Sequence, residues 1–185
     1  MFIQTEDTPN PDTLKFITGD IILKKGSADF ASKEVASNSP LASRLFKIEG
    51  VSRVFLATDF ISVTKDPELD WSNLKPSILT GIMDYYSSGL PAVNIVEDEN
   101  FENSDTEDTE TIKQIKDLLE TRVRPAVAMD GGDITFCSFE AGVVTLQMKG
   151  ACAGCPSSTA TLKMGIENML RHYIPEVREV RAAEL

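Results

Sequence analysis

Residues 97–110 read EDENFENSDTEDTE, fourteen consecutive positions with eight carboxylates, no Lys or Arg, no aliphatic side chain and one aromatic, Phe101. Such a stretch cannot bury enough apolar surface to offset the entropy of ordering, and its like charges repel one another. It predicts a flexible, extended linker. Folding is therefore confined to the flanks, residues 1–96 and 111–185, each long enough for a small domain that needs no disulfide staples.

The net charge of -11 is concentrated in that linker. Residues 1–96 carry 12 acids and 9 bases, and residues 111–185 carry 9 of each, so neither flank has the cationic excess that phosphate backbones demand. This argues against nucleic acid as a partner. The opening residues MFIQTED show no basic region, apolar run or Arg/Ser-rich amphipathic stretch, and no segment is apolar enough for a membrane span. All three cysteines lie in the last third, which fits a reducing compartment rather than a secreted disulfide framework. The expected location is a bacterial cytoplasm, with the mitochondrial matrix as the alternative for a processed eukaryotic chain.

In the first flank, residues 14–17 and 21–23 predict strands joined in a hairpin at Gly19-Asp20. Ser39-Pro40 opens a helix burying Leu41, Leu45, Phe46 and Ile48, with Gly50 as its left-handed cap. Residues 51–56 and 60–64 predict a second hairpin, and Leu74, Ile78, Ile82 and Tyr85 or Tyr86 recur at helical spacing up to Gly89. In the second flank, Ile112, Ile115, Leu118, Leu119 and Val123 mark a helix expected to stop before Pro125. Strands follow at 134–139 and 143–148, then a helix carrying Leu162, Ile166, Met169, Leu170 and Tyr173, closed by Pro175, and a last strand at 177–181. The expected fold class is α+β: two small α/β-sandwich domains, ββαββα and then αββαβ, joined by the flexible acidic linker.

Chemistry concentrates at Cys152-Ala153-Gly154-Cys155-Pro156. Proline suits the first turn of a helix, where its missing N–H costs nothing, so the CxxC is expected at a helix N-terminus. The unpaired N–H groups and the positive dipole end there favour thiolate, and predict thiols ionising below the free value of about 8.5. Gly150 and Gly154 either make a tight strand-to-helix turn or let main-chain N–H groups approach a bound sulfur.

Two thiolates are half of a tetrahedral or cluster site, which takes about four ligands. His172 lies 17 residues past Cys155, roughly 25 Å along a helix, and is expected to face solvent. Cys137, in the predicted strand 134–139, is expected to be a small buried thiol. By alternation it shares a face with Thr135 and Phe139, opposite Ile134, Phe136 and Ser138. A site within one chain would have to recruit a carboxylate, a poor partner for soft metals. Two chains meeting at their CxxC loops supply four thiolates around a two-fold axis.

The segments Arg124-Pro125-Ala126-Val127, Asp130-Gly131-Gly132-Asp133-Ile134 and Lys149-Gly150-Ala151-Cys152-Ala153-Gly154-Cys155-Pro156-Ser157-Ser158 resemble the C-terminal domain of NifU-like (Nfu-type) iron–sulfur scaffold and carrier proteins. Residues 1–90, including Thr8-Pro9-Asn10-Pro11-Asp12-Thr13-Leu14-Lys15-Phe16, resemble the N-terminal domain that accompanies it. The resemblance implies a non-enzymatic carrier that binds a 4Fe-4S cluster between the subunits of a homodimer through Cys152 and Cys155, with 2Fe-2S as an alternative. It implies receipt from upstream cluster-assembly proteins and transfer to apo iron–sulfur clients. No cysteine precedes Cys137, so the cysteine-ligated scaffold and ferredoxin segments of larger NifU proteins are missing. The N-terminal domain is then expected to dock partners or clients, and Gly131-Gly132 to form a tight turn. A thiol–disulfide oxidoreductase is the enzyme alternative, because strand, CxxC, helix is also a thioredoxin-like order. A zinc-stabilised interaction module is a third, with the same shortage of ligands.

Overall fold

The computed structural model describes residues 2–93, 109–153 and 156–183, which form two compact units, Met1–Asp98 and Glu99–Leu185. Most of the acidic stretch lies outside the described residues. Its last residue, Glu110, begins a helix whose first turn is capped by the Thr109 hydroxyl accepting from Ile112 N–H at 3.4 Å.

The first unit is a five-stranded antiparallel sheet in the order β1-β2-β5-β4-β3, built from β1 (Gln4–Asp7), β2 (Thr13–Ile17), β3 (Ala28–Phe30), β4 (Val51–Leu56) and β5 (Phe60–Lys65). Two helices, α1 (Pro40–Leu45) and α2 (Trp71–Ser88), bury Leu41, Leu45, Leu74, Ile78 and Ile82 against Leu14, Phe16, Val54, Leu56, Ile61 and Val63. These sheet residues are two apart along each strand, so one face supplies the core. Gly89 caps α2 in the left-handed region, as its sequence position suggests.

The early hairpin at Gly19-Asp20 does not form. Ile21 is 73% exposed, and Ile22 packs in the core, its N–H donating to Thr58 O at 2.7 Å. The partner of β2 is instead β1, across the Pro9-Asn10-Pro11-Asp12 turn, in which Asn10 accepts both Asp12 N–H at its side chain and Thr13 N–H at its carbonyl. Gly50 does not cap α1, which ends at Leu45; its φ of 95° makes the turn into β4.

The second unit is a three-stranded sheet in the order β6-β7-β8, from β6 (Gly132–Glu140), β7 (Val143–Gly150) and β8 (Glu179–Ala182). β6 and β7 form an antiparallel hairpin, and β8 joins β7 in parallel after the crossover helix α5 (Pro156–Tyr173). Ile115, Leu119, Val123 and Val127 pack with Ile134, Val144, Leu146, Ile166 and Leu170 in its core. The helix expected to stop before Pro125 continues: α3 (Glu110–Leu118) passes through a π-helical turn (Leu119–Val123) into α4 (Arg124–Met129). Arg124 N–H reaches back to Leu119 O, and this widened turn makes room for the proline ring that a regular α-helix would drive into the preceding carbonyl.

Candidate functional site at the cysteine loop

The site is assembled at the open end of the β6–β7 hairpin, where Gly132 faces Gly150. α4 ends in a turn with Gly131 N–H on Ala128 O at 3.1 Å, and Gly131 takes φ 80° to enter β6. That is the tight turn expected of the two-glycine motif. On the opposite strand Gly150 takes φ 64°, turning the chain back toward β6, and Ala151 N–H donates to Gly131 O at 3.2 Å.

This return carries Cys152 inward. Its thiol lies where a side chain on residue 132 would start: a Cβ there would sit 2.6 Å from Cys152 Sγ and 2.7 Å from Lys149 O. Gly132 therefore serves a close approach as well as a turn. Cys152 is buried at 6% exposure within the hydrophobic cluster of the unit, and its carbonyl accepts the Thr159 hydroxyl from the first turns of α5 at 2.9 Å. Cys155 and Gly154 lie outside the described residues. Pro156 opens α5, as its place after the CxxC suggests.

The expected low thiol pKa is overturned for Cys152. Burial first, then the carboxylates of Asp130 and Asp133, push it up to about 12. Removing the sulfur from water penalises the thiolate, and two nearby negative charges add to the penalty. Proximity to a helix start does not compensate.

Asp133 is held by a fork. Arg124 Nε and Nη2 donate to its two oxygens at 2.9 and 3.1 Å, Ile134 N–H donates to Oδ1 at 2.8 Å, and Arg124 Nη1 reaches Glu120 at 2.6 Å. The two carboxylates raise the Arg124 pKa further above its ordinary value. This bidentate pair ties α4 to the start of β6 and so fixes the strand on which Gly132 sits. The sequence displayed Arg124 and Asp133 only as parts of two motifs; their nine-residue separation bridges a helix and a strand that periodicity alone does not bring together.

The other candidates lie elsewhere. Cys137 is exposed rather than buried, because a β-bulge intervenes: Phe136 pairs with Leu146 and Ser138 with Thr145, leaving Cys137 between them. The extra residue breaks the expected alternation and lets Phe136 and Phe139 both pack on the core. His172 is exposed near the C-terminal end of α5, edge-on to Tyr173. Among the described residues, no group of three or more His, Cys, Asp or Glu could hold a metal ion.

Comparison with known proteins matches residues 3–89 to the family model described as "Scaffold protein Nfu/NifU N terminal" and residues 115–181 to "NifU-like domain". A Drosophila sechellia relative named "NFU1 iron-sulfur cluster scaffold homolog, mitochondrial" is 51% identical over 97% of this chain and 64% of its own length. The human protein of that name is 53% identical over 97% of this chain and 71% of its own. "NifU-like protein 4, mitochondrial" of Arabidopsis thaliana is 51% identical over 97% of this chain and 65% of its own. The chain thus spans slightly less than two thirds of the Drosophila relative.

Proposed function

Because the chain belongs to the Nfu/NifU-like family of scaffold proteins, we propose that it carries an iron–sulfur cluster and hands it on to apo-proteins. The cargo is a 4Fe-4S cluster, held by Cys152 and Cys155 of each of two copies. The observation that carries this reading is the separation of Cys152 from Cys137 and His172 within its own unit. Cys137 lies five residues along β6 from Gly132, roughly 16 Å from the Cys152 thiol at strand rise, and His172 lies near the other end of α5. Among the described residues no other cysteine or histidine accompanies Cys152, and a second copy supplies the thiolates that complete the set.

Two ligands per chain make a holder that can let go. Thiolates of a client can replace those of the carrier stepwise, while a closed four-cysteine cage would retain its cluster. Loading must also remove the proton from Cys152, since iron binds thiolate and not thiol. The oxidoreductase reading gains no support here: an attacking thiol needs to be ionised near neutral pH, and Cys152 is driven the other way. The cluster donors are upstream assembly proteins, and residues 1–96 serve as a docking unit for partners or clients. The names of the relatives support the mitochondrial matrix over a bacterial cytoplasm as the location.

Anaerobic reconstitution with iron and sulfide, followed by native mass spectrometry, tests the proposal. The expected species is a dimer with one 4Fe-4S cluster. Cys152→Ser and Cys155→Ser should each lose both cluster and cluster-dependent dimer, while Cys137→Ser keeps both. A stable cluster in either single mutant, or a loaded monomer, refutes ligation across the dimer.

A further inference from the structure

A ligand to a cluster shared between two chains has to present its sulfur at the surface, yet Cys152 is buried with its thiol against Gly132. Its neighbours hold it there. Ala151 N–H is on Gly131 O, the Cys152 carbonyl accepts the Thr159 hydroxyl, and the side chain belongs to the same cluster as Val127 and Met148. The space that the sulfur fills exists only because residue 132 has no Cβ. Gly150, opposite Gly132 in the ladder, supplies the left-handed backbone that turns the chain toward it.

We propose that this is a stowed position of the ligand: Gly132 and Thr159 are positioning residues that keep Cys152 withdrawn in the metal-free chain, and loading requires it to swing outward. The inference rests on the reading of Cys152 as a cluster ligand. It adds that the empty carrier does not display its full ligand set. The second copy and the incoming cluster have to draw Cys152 out, so binding is coupled to a local rearrangement at Cys152. Release of the cluster lets the thiol return behind Gly132, which favours unloading.

The test is a timed pulse of iodoacetamide on the full-length, reduced, metal-free protein, with each cysteine resolved by fragment mass spectrometry. Cys137, exposed on its bulge, is the internal reference. Cys152 should label at least about tenfold more slowly than Cys137, and denaturant should abolish the difference. Gly132→Ala should speed labelling of Cys152 about tenfold with Cys137 unchanged. Its Cβ also meets Lys149 O at 2.7 Å and could disturb the hairpin. Thr159→Val, which removes only the hydroxyl tie, therefore provides a second arm and should give a smaller acceleration with the far-UV dichroism spectrum unchanged at the labelling temperature. Equal labelling of Cys152 and Cys137 in the native protein overturns the stowed position, as does a Thr159→Val protein whose Cys152 labels no faster. The two readings fail separately. A protein that loads a dimer-bridging cluster yet shows no protection of Cys152 retains the carrier role without stowing; protection with no cluster uptake does the reverse.

Discussion

Replacing Arg124 by Leu should destabilise the second unit and leave the first untouched. The guanidinium fork spans both oxygens of Asp133, whose side chain is only 10% exposed, and its loss leaves a largely buried carboxylate without its main counter-charge. Breaking a fully buried pair costs about 3–5 kcal/mol. The Arg124 side chain is 35% exposed, so water can take over part of its role, and the expected cost falls to about 2 kcal/mol. For a unit this small, a urea slope near 1 kcal/mol per M converts that into a midpoint about 2 M lower. The assay exploits the single tryptophan: Trp71 lies in α2, so its fluorescence follows the first unit while far-UV circular dichroism follows both. The dichroism component without a fluorescence counterpart should move, and the fluorescence midpoint should not. In the double mutant with Asp133→Asn, the combined cost should fall short of the sum by about 1–2 kcal/mol. A shift below about 0.5 M, or an equal shift of the Trp71 transition, would refute the assignment of this fork to the stability of the second unit.

Two further perturbations probe the described contacts. Ser39 is fully buried, accepting Ala42 N–H at 3.1 Å and donating to Ala92 O at 2.6 Å, so Ser39→Ala loses a helix cap and a partner for that carbonyl. The cost should be about 2–3 kcal/mol, read by Trp71 fluorescence. Cys152 gives a pH signature: its folded pKa of about 12 lies above the ordinary thiol value of 9.0, so its contribution is complete below about pH 9. It is then lost as pH rises toward 12, because the unfolded chain sheds the proton first. Across that window, the stability difference between wild type and Cys152→Ala should narrow by up to about 1.4 kcal/mol per pH unit, measured by urea titration.

Helices and the central strands were legible because their apolar spacing was strong. Leu74, Ile78, Ile82 and Tyr85 are buried on α2, and β4, β5, β6 and β7 stand close to their expected positions. Residues 4–7 carried no comparable pattern, since QTED is a polar edge strand whose pairing depends on β2 and on a turn of local hydrogen bonds. The apolar run at residues 21–23 suggested a strand, but with Ile21 exposed it contributes mainly the anchor Ile22. Pro125 misled because the rule for proline assumes α-helical spacing, which the π-turn relaxes. At the candidate site the motif located the cysteines, while the state of Cys152 was invisible. A helix N-terminus is a one-dimensional feature, and the burial behind Gly132 that outweighs it is a contact between positions twenty apart.

The bulge at Cys137 bears on how the edge of this sheet can meet any other strand. β6 is the outer strand of its sheet, and an uninterrupted outer strand offers a row of N–H and C=O groups to any similar strand, inviting sheets to zip together without limit. Near its middle, between Phe136 and Ser138, the ladder steps out of register. Such a step twists and kinks the edge, making it a poor template for a long continuous ladder with another chain. The outer strand β6 thus carries its own break against open-ended strand-on-strand growth.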